Sequence, residues 1–331
     1  MDLFELAKSL IDIPSVTGSE GPLADFLVSL LVRESFRVRT QDVAPGRRNV
    51  LATLGEPPDV VLCTHLDTVP PWFGASEDME YVFGRGACDA KGIMAAMITA
   101  AAGLRDSGLK RAGLLFVVGE ETDSIGAQKA NDLAPGSRFI IVGEPTRNKL
   151  AAAHKSVLTL TLAASGRSGH SAYPETGESA VVKLLDVLDD IRRLDFGDDP
   201  VLGPTIVNIG RIEGGAGPNV IPGSASAVLS FRSGASPDIV LSRVAAAAAG
   251  RVAIAVTAKS EPQVLFTVPG FEQDVMPFGT DIPHLKTFGR PLLLGPGSVL
   301  DAHTENEKVE KRQLRDAVVM YQSLVRKLLE V

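Results

Sequence analysis

Apolar residues recur at three- and four-residue spacing over positions 2–11, ahead of Pro14, and again over 19–34, where Leu23, Phe26, Leu27, Leu30 and Leu31 share one face. Two amphipathic helices are predicted there. Residues 37–43 and 49–54 read as strands, and 60–64, 114–118 and 139–142 are unbroken apolar runs. Such runs are the pattern of strands covered on both faces. Helical spacing returns between them, over 91–104 and 124–133. This alternation predicts an α/β sheet with helices on both sides.

The texture changes at residue 150. Positions 155–163 alternate like a half-buried strand, and 177–194 form an amphipathic helix through Val181, Leu184, Leu185 and Leu188. Strands at 205–212 and 225–231, a helix at 236–249 and a strand at 251–258 follow. That order is the split βαβ, or ferredoxin-like, pattern. Short apolar runs resume at 264–268 and 291–294, and a helix over 305–329 closes the chain. The expected layout is one α/β domain, residues 1–152 and 263–331, interrupted by an inserted α+β domain, residues 153–262.

With 331 residues, 45% hydrophobic and 22% charged, the chain has enough apolar material for two cores. The net charge of −7 comes with both signs interspersed and no basic face, which argues against nucleic acid. Carboxylates gathered around divalent cations are another source of such an excess. Cys63 and Cys88 lie in apolar surroundings without a CxxC pair, so both are expected as buried thiols in a reducing compartment. Residues 1–10 carry acidic groups and no long apolar run, and the Ala-rich stretch 93–102 is broken by Gly103 and Arg105. The expectation is a cytoplasmic chain without signal peptide or membrane span.

Three strand ends deliver acidic or imidazole groups: His65-Leu66-Asp67, Gly119-Glu120-Glu121 and Gly143-Glu144-Pro145. Ligands of open α/β sheets bind beyond the carboxyl ends of the strands, so residues distant in sequence meet at one edge. Asp89 precedes the helix near Lys91, and His303 is expected to open the last helix. Two imidazoles and several carboxylates repel one another unless cations sit between them, and such N and O donors suit Zn²⁺, Co²⁺ or Mn²⁺. Asp67 is placed to accept the other N–H of His65. Glu120 and Glu121, as neighbours on an extended backbone, point to opposite sides, so one can bind metal while the other faces substrate as a base.

The segment His65-Leu66-Asp67-Thr68-Val69-Pro70 resembles the first signature of the M20 metallopeptidase family, and Gly84-Arg85-Gly86-Ala87-Cys88-Asp89-Ala90-Lys91-Gly92 the second. Gly119-Glu120-Glu121-Thr122, Gly143-Glu144-Pro145-Thr146 and Ala302-His303-Thr304-Glu305-Asn306-Glu307 complete the set in order. The resemblance implies a zinc-exopeptidase-like catalytic domain, with a mixed sheet flanked by helices, and a ferredoxin-like inserted domain serving as lid and dimerisation unit. It implies two divalent metal ions, Zn²⁺ with Co²⁺ or Mn²⁺ as alternatives. His65 and Glu144 would bind one ion, Glu121 and His303 the other, and Asp89 would bridge them, with its peptide to Ala90 cis. Glu120 would be the general base, and Asp67 would orient His65.

The inserted domain carries further matches. Ser168-Gly169-His170-Ser171-Ala172-Tyr173-Pro174 resembles the family's lid motif, whose histidine, here His170, helps stabilise the oxyanion. Asn219, within Gly217–Pro222, and Arg232 resemble its clamp on the substrate carboxylate, a task suited to a bidentate guanidinium. Gly279-Thr280-Asp281 and Gly295-Pro296-Gly297-Ser298 look like substrate-side loops. His154 is expected to be structural, and His284, near Asp281, is a pocket candidate.

The implied reaction is cleavage of an amide bond next to a free carboxylate. Residues 280–284 and the spacing from Gly295-Pro296-Gly297-Ser298 to Ala302-His303-Thr304 are similar to the acetylornithine and acetylcitrulline deacetylases. Deacetylation of N-acetylornithine (or N-acetylcitrulline) to acetate and the free amino acid, in arginine biosynthesis, is therefore the leading expectation, although the chain is short for that branch. The alternatives are a dipeptidase or carboxypeptidase, a succinyl-diaminopimelate desuccinylase, and a non-catalytic binding protein, against which the intact ligand set speaks. The expected partners are a small N-acyl amino acid and a second copy of the chain, with neither nucleic acid nor membrane.

Overall fold

In the computed structural model, which describes residues 2–55, 57–133 and 136–331, the three apolar runs lie side by side in one sheet. The main strands in chain order are β1 (Arg37–Ala44), β2 (Arg47–Thr53), β3 (Val60–His65), β4 (Ala112–Val117), β5 (Phe139–Val142), β6 (Ser156–Ser165), β7 (Ile206–Gly214), β8 (Ser224–Ser233), β9 (Ala253–Ser260) and β10 (Arg290–Leu293). The larger sheet runs β1-β2-β4-β3-β5-β10. β3, β4, β5 and β10 are parallel, while β1 and β2 add an antiparallel edge. Every residue of β3, β4 and β5 is buried, as their unbroken apolar character requires.

The chain divides into two compact units, one of residues 1–152, 265–274 and 280–331 and one of residues 153–264 and 275–279. Residues 275–279, read from sequence with the first domain, therefore group with the second unit. Helices α1 (Leu3–Ile11), α2 (Gly21–Arg33), α3 (Lys91–Asp106), α4 (Ile125–Ala130) and α7 (Lys311–Glu330) belong to the first unit. Asp2 caps α1 by accepting from Phe4 N and Glu5 N, and Pro22 sits in the first turn of α2, where its missing N–H costs nothing. Its core joins Leu10, Leu27, Leu62, Ile93, Met97, Phe116, Ile141 and Tyr321.

The second unit has β7-β8-β6-β9 as an antiparallel sheet, with α5 (Ala180–Arg192) and α6 (Pro237–Ala248). In chain order this is strand, helix, strand, strand, helix, strand, and the spatial order is that of a ferredoxin-like unit. Leu160, Leu162, Leu184, Leu188, Leu229, Phe231 and Val244 form its separate core.

Two elements differ from expectation. The last helix begins at Lys311 rather than at residue 305, because Lys308–Glu310 is a strand paired with Tyr81–Phe83. Of residues 264–268 only Val264 is in a strand, within Gln263–Val264. Among the described residues no helix is long and apolar enough to cross a membrane.

Candidate functional site

Parallel register brings the ends of β3, β4 and β5 to one edge, with His65 opposite Val117 and Cys63 opposite Val142. The segments leaving that edge carry Asp67, Glu120, Glu121 and Glu144. Leu66 N donates to Val117 O at 2.7 Å and Gly143 N to Cys63 O at 2.7 Å, which fixes where two of them depart. At the third, Gly119 takes φ +82°, a turn that a side chain enters only under strain.

His65 is buried, and its Nδ1 lies 2.9 Å from the Asp67 carbonyl oxygen. An Nδ1–H makes that contact favourably, and Nε2 faces Asp89 Oδ1 at 2.9 Å, a pair satisfied by a proton on Nε2 or by a cation between them. The nearest acceptor is thus the Asp67 backbone; its carboxylate Oδ1 stands 3.6 Å from Nδ1. The carboxylate has another task. Oδ1 accepts from Gly119 N (2.9 Å) and Glu120 N (3.1 Å), and Oδ2 accepts from Glu121 N (3.2 Å) and Thr17 Oγ1 (2.8 Å). Asp67 therefore clamps the turn that presents both glutamates. Burial works against its charge, but His65, Thr17 and these N–H groups outweigh it and hold its carboxyl below the usual range.

Asp89 is shared. Its Oδ2 lies 3.4 Å from His303 Nε2, which also meets Glu121 Oε1 at 3.1 Å. His303 does not open a helix; it sits in a turn at φ +62°, a conformation non-glycine residues seldom take. Burial opposes ionisation of Asp89, yet hydrogen bonds from His303 and His65 keep its carboxyl far below the ordinary value. The same bonds to Asp89 and Glu121 raise His303 to about 10. For Glu120, Glu121 and Glu144 burial wins and moves each carboxyl upward. Neighbouring carboxylates add to this: Asp281, Glu121 and Asp89 at Glu120, and Glu120, Asp89 and Asp281 at Glu144. The peptide between Asp89 and Ala90 is cis.

This donor set fits divalent cations. The ligand atoms of His65, Asp89 and Glu121 lie within 4.8 Å of one another. An imidazole lone pair 2.9 Å from a carboxylate oxygen is repulsive unless a proton or a cation intervenes. His303 joins from the opposite oxygen of Asp89, so that carboxylate presents one oxygen to each histidine. Glu144, buried at the end of β5, is electrostatically coupled to Glu120, Asp89 and His65 but lies outside the three-residue cluster.

Other sequence candidates are distributed between the units. Thr280 and Asp281 are buried in the first, at 7% and 2% exposure, so neither stands on an open loop. Asp281 bonds to Ser124, its Oδ1 has no hydrogen-bond partner, and burial raises it to about 7. Gly279 belongs to the second unit, where a Cβ on it would lie 3.5 Å from Arg232 Nη1. His170 and Asn219 are exposed there and close in space, because His170 pairs with Val220 and Ser171 N donates to Asn219 O at 3.0 Å. His154 is fully buried, with Nδ1 3.1 Å from Lys155 O. His284 is half-buried in a 3-10 turn, where Asn131 Nδ2 donates to its carbonyl at 2.7 Å.

Two buried charges inside the recognised motifs received no role from sequence. Arg85 Nη1 donates to Glu307 Oε2 at 2.6 Å, and Glu307 Oε1 accepts from Gly86 N, Cys88 N and Asp89 N, each at 3.0 Å. Their signal was present: a charged residue flanked by glycines, and a glutamate four residues beyond a ligand candidate.

A profile of the family described as Peptidase family M20/M25/M40 matches residues 61–327. A Peptidase M20 domain-containing protein of Schizosaccharomyces pombe is 38% identical over 98% of this chain and 84% of its own length. A probable carboxypeptidase of Emericella nidulans is 35% identical over 98% of this chain and 89% of its own. Among solved structures, a tripeptidase from Staphylococcus aureus superposes with a TM-score of 0.84 at 19% identity, covering 99% of this chain and 98% of that one. A dinuclear metal-binding M20 peptidase from Bacillus subtilis gives a TM-score of 0.70 at 16% identity, covering 99% and 98%.

Proposed function

The chain belongs to peptidase family M20/M25/M40 and is a hydrolase of that family, and on this premise we propose that it is a two-cation enzyme removing the C-terminal residue of short peptides. The observation that carries the reading is Glu120. It shares one clamped turn with Glu121, beside the donor cluster, and burial has pushed its carboxyl well above the ordinary value. Relatives more than a third identical over nearly the whole chain bear the name carboxypeptidase, which favours a peptide substrate.

His65 and Glu144 would hold one cation, Glu121 and His303 the other, with Asp89 shared. When bound, such cations polarise an amide carbonyl and lower the pKa of water toward ~7. The Glu120 carboxylate takes a proton from the attacking water and delivers it to the leaving nitrogen as the C–N bond breaks. Asp67 keeps Glu120 in place through its backbone N–H. Arg232 and Asn219 are the proposed grip on the substrate carboxylate, His170 the donor to the developing oxyanion, and Gly279, Thr280 and Asp281 the proposed substrate-side residues. The inserted domain would serve as a lid in a cytoplasmic homodimer. Among the described residues the Ile206–Gly214 strand is at the edge of its sheet, and that edge, with Ile206 and Ile212 exposed, supports pairing with a second copy. A sedimentation measurement giving a monomer at micromolar concentration would remove that part.

Deacetylation of N-acetylornithine is the second reading. It breaks the same type of bond and is favoured by residues 280–284. One experiment separates the two: hydrolysis of dipeptides, tripeptides and N-acetyl amino acids, including N-acetylornithine and N-acetylcitrulline, by Zn²⁺- or Co²⁺-loaded protein against a chelated control. The peptide reading expects metal-dependent loss of the C-terminal residue well ahead of the N-acetyl compounds. Preference for N-acetylornithine would reverse the ranking, and equal rates with and without chelator would end both.

A further inference from the structure

The Glu307 carboxylate is completely buried and fully engaged, yet nothing in the reaction uses it. Its Oε1 collects three backbone N–H groups from one short loop, those of Gly86, Cys88 and Asp89, each at 3.0 Å. Successive N–H groups turned toward one point form an anion-binding concavity, here occupied by the protein's own carboxylate. Oε2 takes a charge-assisted bond from Arg85 Nη1 at 2.6 Å. Arg85 is anchored in turn by Nε to Pro71 O at 3.1 Å and by stacking on Phe73. The Glu307 carbonyl accepts Gly84 N at 3.1 Å, so the loop is gripped through main chain as well.

What the loop presents on its other side is Asp89, whose two oxygens reach His65 and His303. His303 lies four residues before Glu307 in the same segment. One residue thus connects the two pieces of chain that must hold Asp89 and His303 in register. Burying a carboxylate opposes its ionisation, and here four hydrogen bonds offset part of that cost.

We propose that Glu307 is a positioning residue for the metal centre: by clamping the Gly86–Asp89 backbone it sets the Asp89 carboxylate against His303 and so determines how tightly the shared cation site binds. The inference rests on the ligand set given under the proposed function. Groups that orient ligands in this way typically change metal affinity or activity about 10–100-fold when removed.

The test is Zn²⁺ affinity of the purified full chain, measured by competition with a chromogenic chelator, together with the thermal midpoint of the metal-free protein. Glu307→Ala should weaken Zn²⁺ binding about 10–100-fold. Glu307→Gln, which keeps an acceptor for the three N–H groups, should recover part of that loss. Leu27→Ala, a core truncation away from the loop, should lower the midpoint and leave affinity within about twofold. Wild-type affinity in Glu307→Ala overturns the proposal, as does an equal loss in Leu27→Ala, which would make the effect general loosening. If Glu307→Ala does not fold, Glu307→Asp carries the test, because a carboxylate one methylene shorter cannot reach all four donors, and unchanged affinity there is equally fatal. Absence of Zn²⁺ binding by the wild type would instead sink the ligand assignment itself, a result distinct from failure of the Glu307 role alone.

Discussion

A carboxylate that shuttles a proton must not be held permanently ionised, and Glu120 differs from its neighbours in this respect. Asp67 and Asp89 are kept charged by the groups around them, whereas burial and nearby carboxylates drive Glu120 upward. Glu120→Gln should therefore lower kcat by roughly 10²–10⁴-fold while bound metal, counted by elemental analysis, stays unchanged. Near-normal turnover would remove Glu120 from the mechanism. His154 offers a prediction of another kind. Burial, together with the Arg232 charge, keeps its folded-state pKa below 6.5. As pH falls below about 6.5 the unfolded chain takes up a proton that the folded chain declines, so stability is lost until the lower folded value is passed. His154→Gln lacks that proton uptake. Denaturation series should show the wild type losing stability relative to the variant below about pH 6.5, with a constant difference above pH 7. Parallel curves across the whole range would mean that this imidazole titrates alike in both states.

At the level of elements, the site depends on three strand ends and the turns that leave them. Gly119 is the one with a left-handed backbone: at φ +82°, an added Cβ would also lie 2.9 Å from both Arg47 Nη2 and Asp123 Oδ1. Gly119→Ala should cost about 1–2 kcal/mol for the left-handed backbone, and by displacing Glu120 and Glu121 together it should reduce both metal affinity and kcat. A variant with wild-type activity would show that the turn tolerates a different path. These strand ends were the most legible part of the sequence. Residues 60–63, 114–118 and 139–142 are apolar throughout, and the imidazole and acidic groups follow within a few residues. The start of the last helix was not legible, since the polar run 303–310 suits a first helical turn as well as a turn plus strand. What decides is tertiary: Glu307 is drawn into the Gly86–Asp89 concavity and Val309 pairs with Val82, neither of which leaves a periodic trace. The double duty of Asp67 was hidden for the same reason. Its distance from His65 is fixed by sequence, whereas its grip on residues 119–121 depends on β3 and β4 lying side by side.

For the whole molecule, the five proposed ligands span residues 65 to 303 yet all lie in the first unit, so cation binding should act on the stability of that unit. Without cations it must bring Asp89, Glu120, Glu121, Glu144 and Asp281 together against carboxylate repulsion, which adds to burial in the upward drift of Glu120, Glu121 and Glu144, while Asp281 is raised by burial with Asp67 and Asp123. A ligand that binds only the folded state stabilises it by about 2.7 kcal/mol at a hundred times its Kd. The chain carries its own reporter, because its single tryptophan, Trp72, belongs to the first unit and donates Nε1–H to Ile11 O at 3.1 Å. Thermal unfolding followed by Trp72 fluorescence should move to lower temperature when a chelator strips the protein, and return on adding Zn²⁺ or Co²⁺. For a unit of about two hundred residues, a change of that size corresponds to roughly 5–10 °C. Carboxylates that lose their cations also favour protonation, so the chelated protein should regain part of the deficit on mild acidification, as the raised carboxyls take up protons and the repulsion falls. The metal-loaded protein should show no such gain. A chelated sample that unfolds at the metal-loaded temperature at every pH would mean that the cluster relieves its charge without cations, and the two-cation reading would lose its physical basis.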